Sequence, residues 1–255
     1  PAYNEELAIV GTLRSLLAWM EDAGLSHEIL VVDNASTDAT RDRVGELADG
    51  DRVRLLANDV NRGKGYSVRR GILESRGELV LHCDADCAPS LPSLRAMMDL
   101  SRRYDLVVGS RLAAGARVGR RQPLRRRIAG RGFQQLCRLI LSEPVTDLFC
   151  GFKLWHGPDA REVYERVTLD GWLYDAEAIA VARALGHTVT EYGIDWADRE
   201  GSRLSMTTVL VPAVRDLLKA RAQARRVARE PRPARPAAEP ALSHVADGPE
   251  LDERR

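Results

Sequence analysis

The chain has 255 residues, of which 44% are hydrophobic, and a formal net charge of +1. That is enough apolar material for one large domain, or a domain and a tail, and too little net charge for the chain as a whole to select a partner electrostatically. The distribution is less even: from Leu106 to Ser142 there are nine arginines and no Asp or Glu, a local excess that attracts phosphates or an anionic surface.

In chain order, Asn4 reads as the N-cap of a helix whose apolar positions Leu7, Val10, Leu13, Leu17 and Met20 recur at helical spacing until Gly24. Ile29 to Val32 is a short apolar run that stops at Asp33, as a buried strand does. Ser36-Thr37-Asp38 caps a second helix running to about Leu47. Val53 to Leu56 is a strand, Gly63-Lys64-Gly65 opens a helix to about Ser75, and Leu79 to Cys83 is a strand ending at Asp84. A helix follows Pro89, and Leu106 to Val108 is a further strand.

Short apolar strands alternating with helices predict an α/β fold around a parallel, doubly wound sheet. In such sheets ligands bind beyond the carboxyl ends of the strands. Asp33, the loop from Asn58 to Lys64, and Asp84 to Asp86 all fall there.

The second half is less regular. Leu124, Ile128, Leu136 and Ile140 line one helical face with arginines around it. Phe149 to Trp155 and Thr188 to Trp196 read as strands, residues 173–185 as an Ala-rich helix, and Val209 to about Val227 as a basic amphipathic helix. Residues 229–255 are rich in Pro, Ala, Glu and Arg, and read as a disordered tail. No run of 18 apolar residues is free of charge, so no transmembrane helix is expected. Cysteines 83, 87, 137 and 150 form no CxxC pair, which predicts reduced, mostly buried thiols in a cytosolic protein. The chain opens at Pro1 rather than Met, and residues upstream of it are expected.

Asp84-Ala85-Asp86 sets two carboxylates two residues apart just past a buried strand. Such a pair can share a hard divalent cation, Mg²⁺ or Mn²⁺, that bridges protein carboxylates to phosphates. The triplet alone is common as a polar turn, and its position after a strand is what singles it out. Asn61-Arg62-Gly63-Lys64-Gly65 is a small basic loop at a helix start, suited to a phosphate or polar ligand. It has neither the GxxxxGK[ST] nor the GxGxxG spacing.

The ordered series Pro1 to Glu6 (PAYNEE), Val31-Val32-Asp33, NRGKG at 61–65, Asp84-Ala85-Asp86, Gly109-Ser110-Arg111 and Cys150-Gly151-Phe152-Lys153 resembles family 2 glycosyltransferases of the GT-A fold. Within them it is most similar to polyprenyl-phosphate sugar transferases of the dolichyl-phosphate β-glucosyltransferase type. That nearer likeness rests on Val68-Arg69-Arg70-Gly71, Asp147, Gly171-Trp172 leading to Asp175-Ala176-Glu177, and Trp196 followed by Gly201 to Leu204. It covers residues 1 to about 221, expected as one GT-A domain with a basic acceptor- and membrane-facing segment at 117–141.

The resemblance implies roles. Pro1, Tyr3, Glu5 and Asp33 would line the nucleotide pocket, and Lys64 would help close it. Asp84 would face the ribose or metal, and Asp86 would be the principal metal ligand. Arg111, Lys153, Arg199 and Ser202 would contact donor phosphates, while Arg117, Arg125, Arg127 and Arg131 would meet the acceptor phosphate and a membrane surface. Asp147 and Asp175 are the candidate bases. The family carries an apolar first strand before its PxYNE segment, expected here upstream of Pro1. Leu148-Phe149 stands where the family has Thr-Gln.

The implied reaction is inverting transfer of a hexose, glucose favoured, from a nucleotide-sugar donor (UDP rather than GDP) to a polyprenyl phosphate. It would run on the cytoplasmic, inner face of a membrane to which the enzyme binds peripherally. The alternative is a family 2 enzyme acting on a saccharide or other hydroxyl. Nucleic acid is not expected as a partner, since aromatics are only 5% and no recognition motif interleaves with the arginines.

Overall fold

The computed structural model describes residues 1–85, 88–119, 124–196 and 206–231. Its elements are α1 (Ile9–Asp22), β1 (Ile29–Asp33), α2 (Thr40–Gly45), β2 (Val53–Ala57), α3 (Lys64–Leu73) and β3 (Leu79–Cys83). A short 3-10 helix (Ala88–Ser93) leads into α4 (Leu94–Ser101), then β4 (Leu106–Ser110), β5 (Arg117–Val118) and α5 (Leu124–Leu141). The remainder is β6 (Phe152–His156), α6 (Gly157–Tyr164), α7 (Tyr174–Ala184), β7 (Val189–Gly193), β8 (Asp195–Trp196) and α8 (Met206–Val227).

β1 and β2 pair in parallel, Ile29 opposite Val53 through Asp33 opposite Ala57. Four strands form the main sheet in the order β3-β6-β4-β7, and β5 pairs with β8. β4 and β7 are parallel, but β6 runs antiparallel to both of its neighbours. The apolar run of β6 looks the same in either direction, so its reversal has no signature in periodicity. Ala2 bridges to Asp33 in parallel fashion, its N–H donating to Val32 O (2.9 Å) and its carbonyl accepting from Asn34 N (2.8 Å).

Alternation along the strands sends side chains to opposite faces. Leu106, Val108 and Trp155 join one core with α3, α6, α7 and α8, while Val107, Phe152 and Leu154 join another with α1 and α4. Helix α7 is buried at every position from Tyr174 to Ala182. Its alanines let it lie close between the sheet and α8, as a helix covered on all sides must.

Several boundaries differ from expectation. Asn4 does not cap α1, whose N-cap is Ala8. Asn4 adopts φ 55° and its Oδ1 accepts from Thr37 N (2.8 Å), tying the first residues to the loop after β1. Thr188 to Trp196 is two short strands broken at Ile194 rather than one. The folded unit passes residue 221: Val227 is buried, Gln223 Nε2 donates to Arg166 O (2.6 Å), and Arg166 pairs with Glu230 (3.0 Å). Most of the expected tail lies outside the described residues, as does Cys87. Of the other cysteines, Cys137 and Cys150 are buried and Cys83 half-buried.

Glu143, in the turn after α5, is buried, and burial pushes its carboxyl up to about 7 despite Arg183 Nε at 3.0 Å. A folded-state value above the unfolded one means the folded protein binds the extra proton, so this group's stability contribution is lost as pH rises from about 4.5 to about 7. Glu143→Gln is expected to remove that slope, raising stability at pH 8 relative to pH 5 by roughly 2–3 kcal/mol, read from urea unfolding at the two pH values.

Candidate active site

Because β3 and β4 both run antiparallel to β6, they run parallel to each other, and their carboxyl ends share one edge of the sheet. β6 starts at that same edge. Topology thus brings together Asp84, which follows β3, Arg111, which follows β4, and Cys150-Gly151, which precede β6. Asp84 N donates to Gly151 O (2.9 Å). A Cβ on Gly151 would lie 1.8 Å from Asp84 Oδ2, so the glycine makes the space that the carboxylate fills.

The β1–β2 side is stitched to this edge by side chains. Asn58 Nδ2 donates to Asn34 Oδ1 (3.0 Å), Asn34 Nδ2 to Asn61 Oδ1 (2.9 Å), and Arg62 N to Asn34 Oδ1 (3.1 Å). Gly63 follows at φ 98°, with no room for a Cβ beneath the Asp170 carbonyl (2.3 Å). This turn aims Lys64 inward, its Nζ 2.7 Å from Asp84 Oδ2 and 5.1 Å from the exposed Trp172 ring centre. Thr12 Oγ1 donates to the carbonyl of Ala85, fixing the backbone after Asp84 from α1.

Burial pushes the Asp84 carboxyl up, but the Lys64 ammonium and the adjacent His82 outweigh it and hold the group well below the usual carboxylate range. Asp84 is therefore ionised. His82 Nε2 faces Asp84 Oδ1 at 3.5 Å and the Tyr174 hydroxyl at 3.3 Å. Burial keeps this imidazole below its ordinary range even with Asp84 beside it. Asp84 Oδ1 is buried and accepts no hydrogen bond. An ionised carboxylate with one buried oxygen unmatched is a fitting ligand for a hard divalent cation. Asp86 lies outside the described residues.

Asp33 is fully buried, with Oδ2 accepting from Arg41 Nε (3.2 Å) and Nη2 (3.0 Å) and both oxygens near Ser36 N (3.3 Å). Tyr3 is half exposed, Pro1 and Glu5 are partly buried beside it, and Glu5 N donates to Thr40 Oγ1 (2.7 Å).

Arg111 meets Asp147 through two parallel bonds, Nε to Oδ2 (2.7 Å) and Nη2 to Oδ1 (2.8 Å), and lies over the Trp196 ring. Asp147 also accepts from Gln134 Nε2 of α5 (2.9 Å). Burial opposes its ionisation, but Arg111 more than compensates and keeps it below the ordinary range. Arg111 itself is held fully charged.

Two expectations need correcting. Lys153 does not face a phosphate: its side chain is 0% exposed, and Nζ donates to Asp175 Oδ1 (2.7 Å) and Cys150 O (2.5 Å) inside the core. Nor are Asp147 and Asp175 placed as bases, since their side chains are 0% and 3% exposed and each is committed to a cation, Asp147 to the half-buried Arg111 and Asp175 to the buried Lys153.

The arginines divide. Arg117 and Arg131 are exposed, Arg125 and Arg127 lie on α5 with side chains outside the described set, and Arg199 and Ser202 fall outside the described residues altogether. A cleft of about 330 Å³ opens between α5 and the loop after β4, lined by Leu112, Arg131, Gln134, Gln135, Arg138 and Thr146. It adjoins the Arg111–Asp147 pair.

His82, Gln134 and Asn34 are not singled out by the sequence, whereas Asn58 falls in the loop expected at the ligand edge. A lone His inside an apolar strand and an Asn in a loop carry no spacing signal, although Trp172 beside Gly171 in a motif was visible as a candidate.

The description Glycosyl transferase family 2 matches residues 1–158. The dolichyl-phosphate β-glucosyltransferase of Dictyostelium discoideum is 30% identical over 236 residues, 87% of this chain and 72% of that one. The Homo sapiens enzyme of the same name is 28% identical, covering 80% of this chain and 68% of its own. Among solved structures, mannosyl-3-phosphoglycerate synthase from Rubrobacter xylanophilus superposes with a TM-score of 0.63 at 19% identity, covering 92% and 76% of the two chains. Glucosyl-3-phosphoglycerate synthase from Mycobacterium tuberculosis, solved with Mn²⁺ and UDP-glucose, gives 0.62 at 18% identity, covering 87% and 76%. These likenesses bear out the GT-A α/β architecture, and the extent of the family match makes this chain a member of glycosyl transferase family 2.

Proposed function

We propose that the protein transfers a hexose, glucose favoured, from a UDP-sugar to a polyprenyl monophosphate, with inversion at the anomeric carbon. The observation that carries this reading is the ionised, half-buried Asp84 held between Lys64 and Gly151 at the carboxyl edge of the sheet, the edge that also carries Arg111 and the cleft beside it. The names of the curated relatives support the acceptor, and the UDP-glucose complex of a fold neighbour supports the donor.

Lys64 and Arg111 would stabilise the negative charge of the departing nucleoside diphosphate. A divalent cation, Mg²⁺ or Mn²⁺, held by Asp84 and Asp86 would add its own positive charge there. The acceptor needs alignment more than deprotonation, because a phosphate monoester with a second pKa of about 6 is largely ionised at neutral pH. The sequestration of Asp147 and Asp175 favours this over a hydroxyl acceptor, which needs an accessible base.

Arg131, in the cleft, would hold the acceptor phosphate. No helix among the described residues is long and apolar enough to cross a membrane. Exposed Ile128 and Leu139 share the outer surface of α5 with Arg131, a combination suited to peripheral binding on an anionic, cytoplasm-facing bilayer surface.

The test is transfer of radiolabel from UDP-glucose or GDP-mannose into lipid, using vesicles bearing polyprenyl phosphate, with and without Mn²⁺. Metal-dependent labelling from UDP-glucose alone is expected, and labelling unaffected by Asp86→Ala would sink the reading. Arg131→Ala is expected to raise the KM for polyprenyl phosphate about 10-fold at unchanged donor KM.

A further inference from the structure

At the opposite edge of the sheet, where β4 begins, a second group of metal-ligating side chains converges. Asp105 precedes β4, Asp159 sits in the first turn of α6, and His187 lies in the turn between α7 and β7. One ligand atom from each lies within 4.8 Å of the others. β4 spans five residues, so this group stands roughly 17 Å from the Asp84 edge.

His187 is the informative member. Its side chain is 3% exposed, and neither ring nitrogen makes a hydrogen bond. Nδ1 faces Asp159 Oδ1 (3.6 Å) and Asp105 Oδ2 (3.8 Å), while Nε2 faces Glu162 Oε2 (3.4 Å). A neutral imidazole has one N–H and one bare lone pair. Either tautomer therefore sets a lone pair of the buried ring against a carboxylate, which is unfavourable. A cation on the Nδ1 side resolves both contacts at once, leaving Nε2–H for Glu162. That is the arrangement of a metal-bound histidine, whose second nitrogen donates to a carboxylate.

The neighbours are already oriented. His156 Nδ1 lies 2.9 Å from Asp159 Oδ2, so Oδ1 is the oxygen turned to His187. Asp105 Oδ2 accepts from Thr188 N (2.7 Å) and Thr188 Oγ1 (2.9 Å). Tetrahedral coordination with bonds of about 2.1 Å sets ligand atoms about 3.4 Å apart, so a small inward movement closes the group. One imidazole and two carboxylates suit Zn²⁺.

We infer that Asp105, Asp159 and His187 form a structural zinc-type site, separate from the donor cleft, that clamps β4, α6 and the α7–β7 turn.

The test uses the full chain stripped with chelator and then offered ZnCl₂ or CoCl₂ at pH 7.5. One equivalent of zinc should survive gel filtration, and cobalt should give the visible absorption of a tetrahedral site. Tm should rise by about 5 °C or more at 100-fold excess over Kd. Uptake should persist in an Asp84→Asn/Asp86→Asn double variant and vanish in His187→Gln. Glu162→Gln, at a half-exposed position that spares the fold, should weaken zinc binding about 10-fold. Absence of zinc and cobalt uptake in the unaltered chain would overturn the inference. Loss of uptake in the Asp84/Asp86 variant, or full retention in both His187→Gln and Glu162→Gln, would overturn it equally.

Discussion

Gly151→Ala is expected to lower transfer by about 10²-fold or more while the protein still folds. The added methyl would stand 1.8 Å from Asp84 Oδ2 and 2.1 Å from its Cγ, so one group must move. Gly151 is tied to Asp84 by the backbone bond at 2.9 Å, and the side chain of Asp84 is the softer element. Turning it away breaks the Lys64 contact (2.7 Å) and takes the unmatched oxygen out of line. Misplacing a catalytic group by about 1 Å costs on the order of 10²-fold. Steady-state transfer from UDP-glucose, with circular dichroism to confirm folding, reads the effect. Near-normal kcat/KM in this variant would mean that the Asp84 carboxylate is not part of the machinery.

The second large effect falls on stability. Asp175→Asn leaves the Lys153 ammonium 0% exposed with no opposing charge. Breaking one side of a buried ion pair costs about 3–5 kcal/mol, which for a chain of this size is a fall in Tm of roughly 10 °C. The double variant Lys153→Met/Asp175→Leu removes both charges together and is expected to recover most of that loss, because apolar replacement of a buried pair is often neutral. Thermal unfolding of the single and double variants measures the difference. A mild Asp175→Asn together with a severe double variant would contradict the pairing.

The parallel half of the fold was legible because an apolar run that stops at a polar residue marks both a buried strand and its ligand edge. Asp33, Lys64 and Asp84 were found in that way. Direction is not legible for β6, since a run buried on both faces reads identically forwards and backwards. The same motif that drew attention to Lys153 also misassigned it: a lysine in a glycosyltransferase signature suggests a phosphate, whereas its place on β6 beside α7 makes it a core cation for Asp175. Asn4 fits a helix cap by type and position, yet its left-handed backbone and its bond to Thr37 serve the neighbouring loop instead. Long-range pairings of this kind leave no local pattern to read.

The reversal of β6 also fixes how force passes through the molecule. The connection from Ser142 to Gly151 starts at the end of α5 and finishes against Asp84. Along its length it is gripped by α5, through Gln134 to Asp147 and to Leu148 N (3.0 Å) and through the stacked Phe133 and Phe149 rings. A parallel strand here would have its cleft end joined to the following helix, with no tie to α5. As built, a pull on α5 tightens a ten-residue strap whose far end is the floor beneath the Asp84 carboxylate.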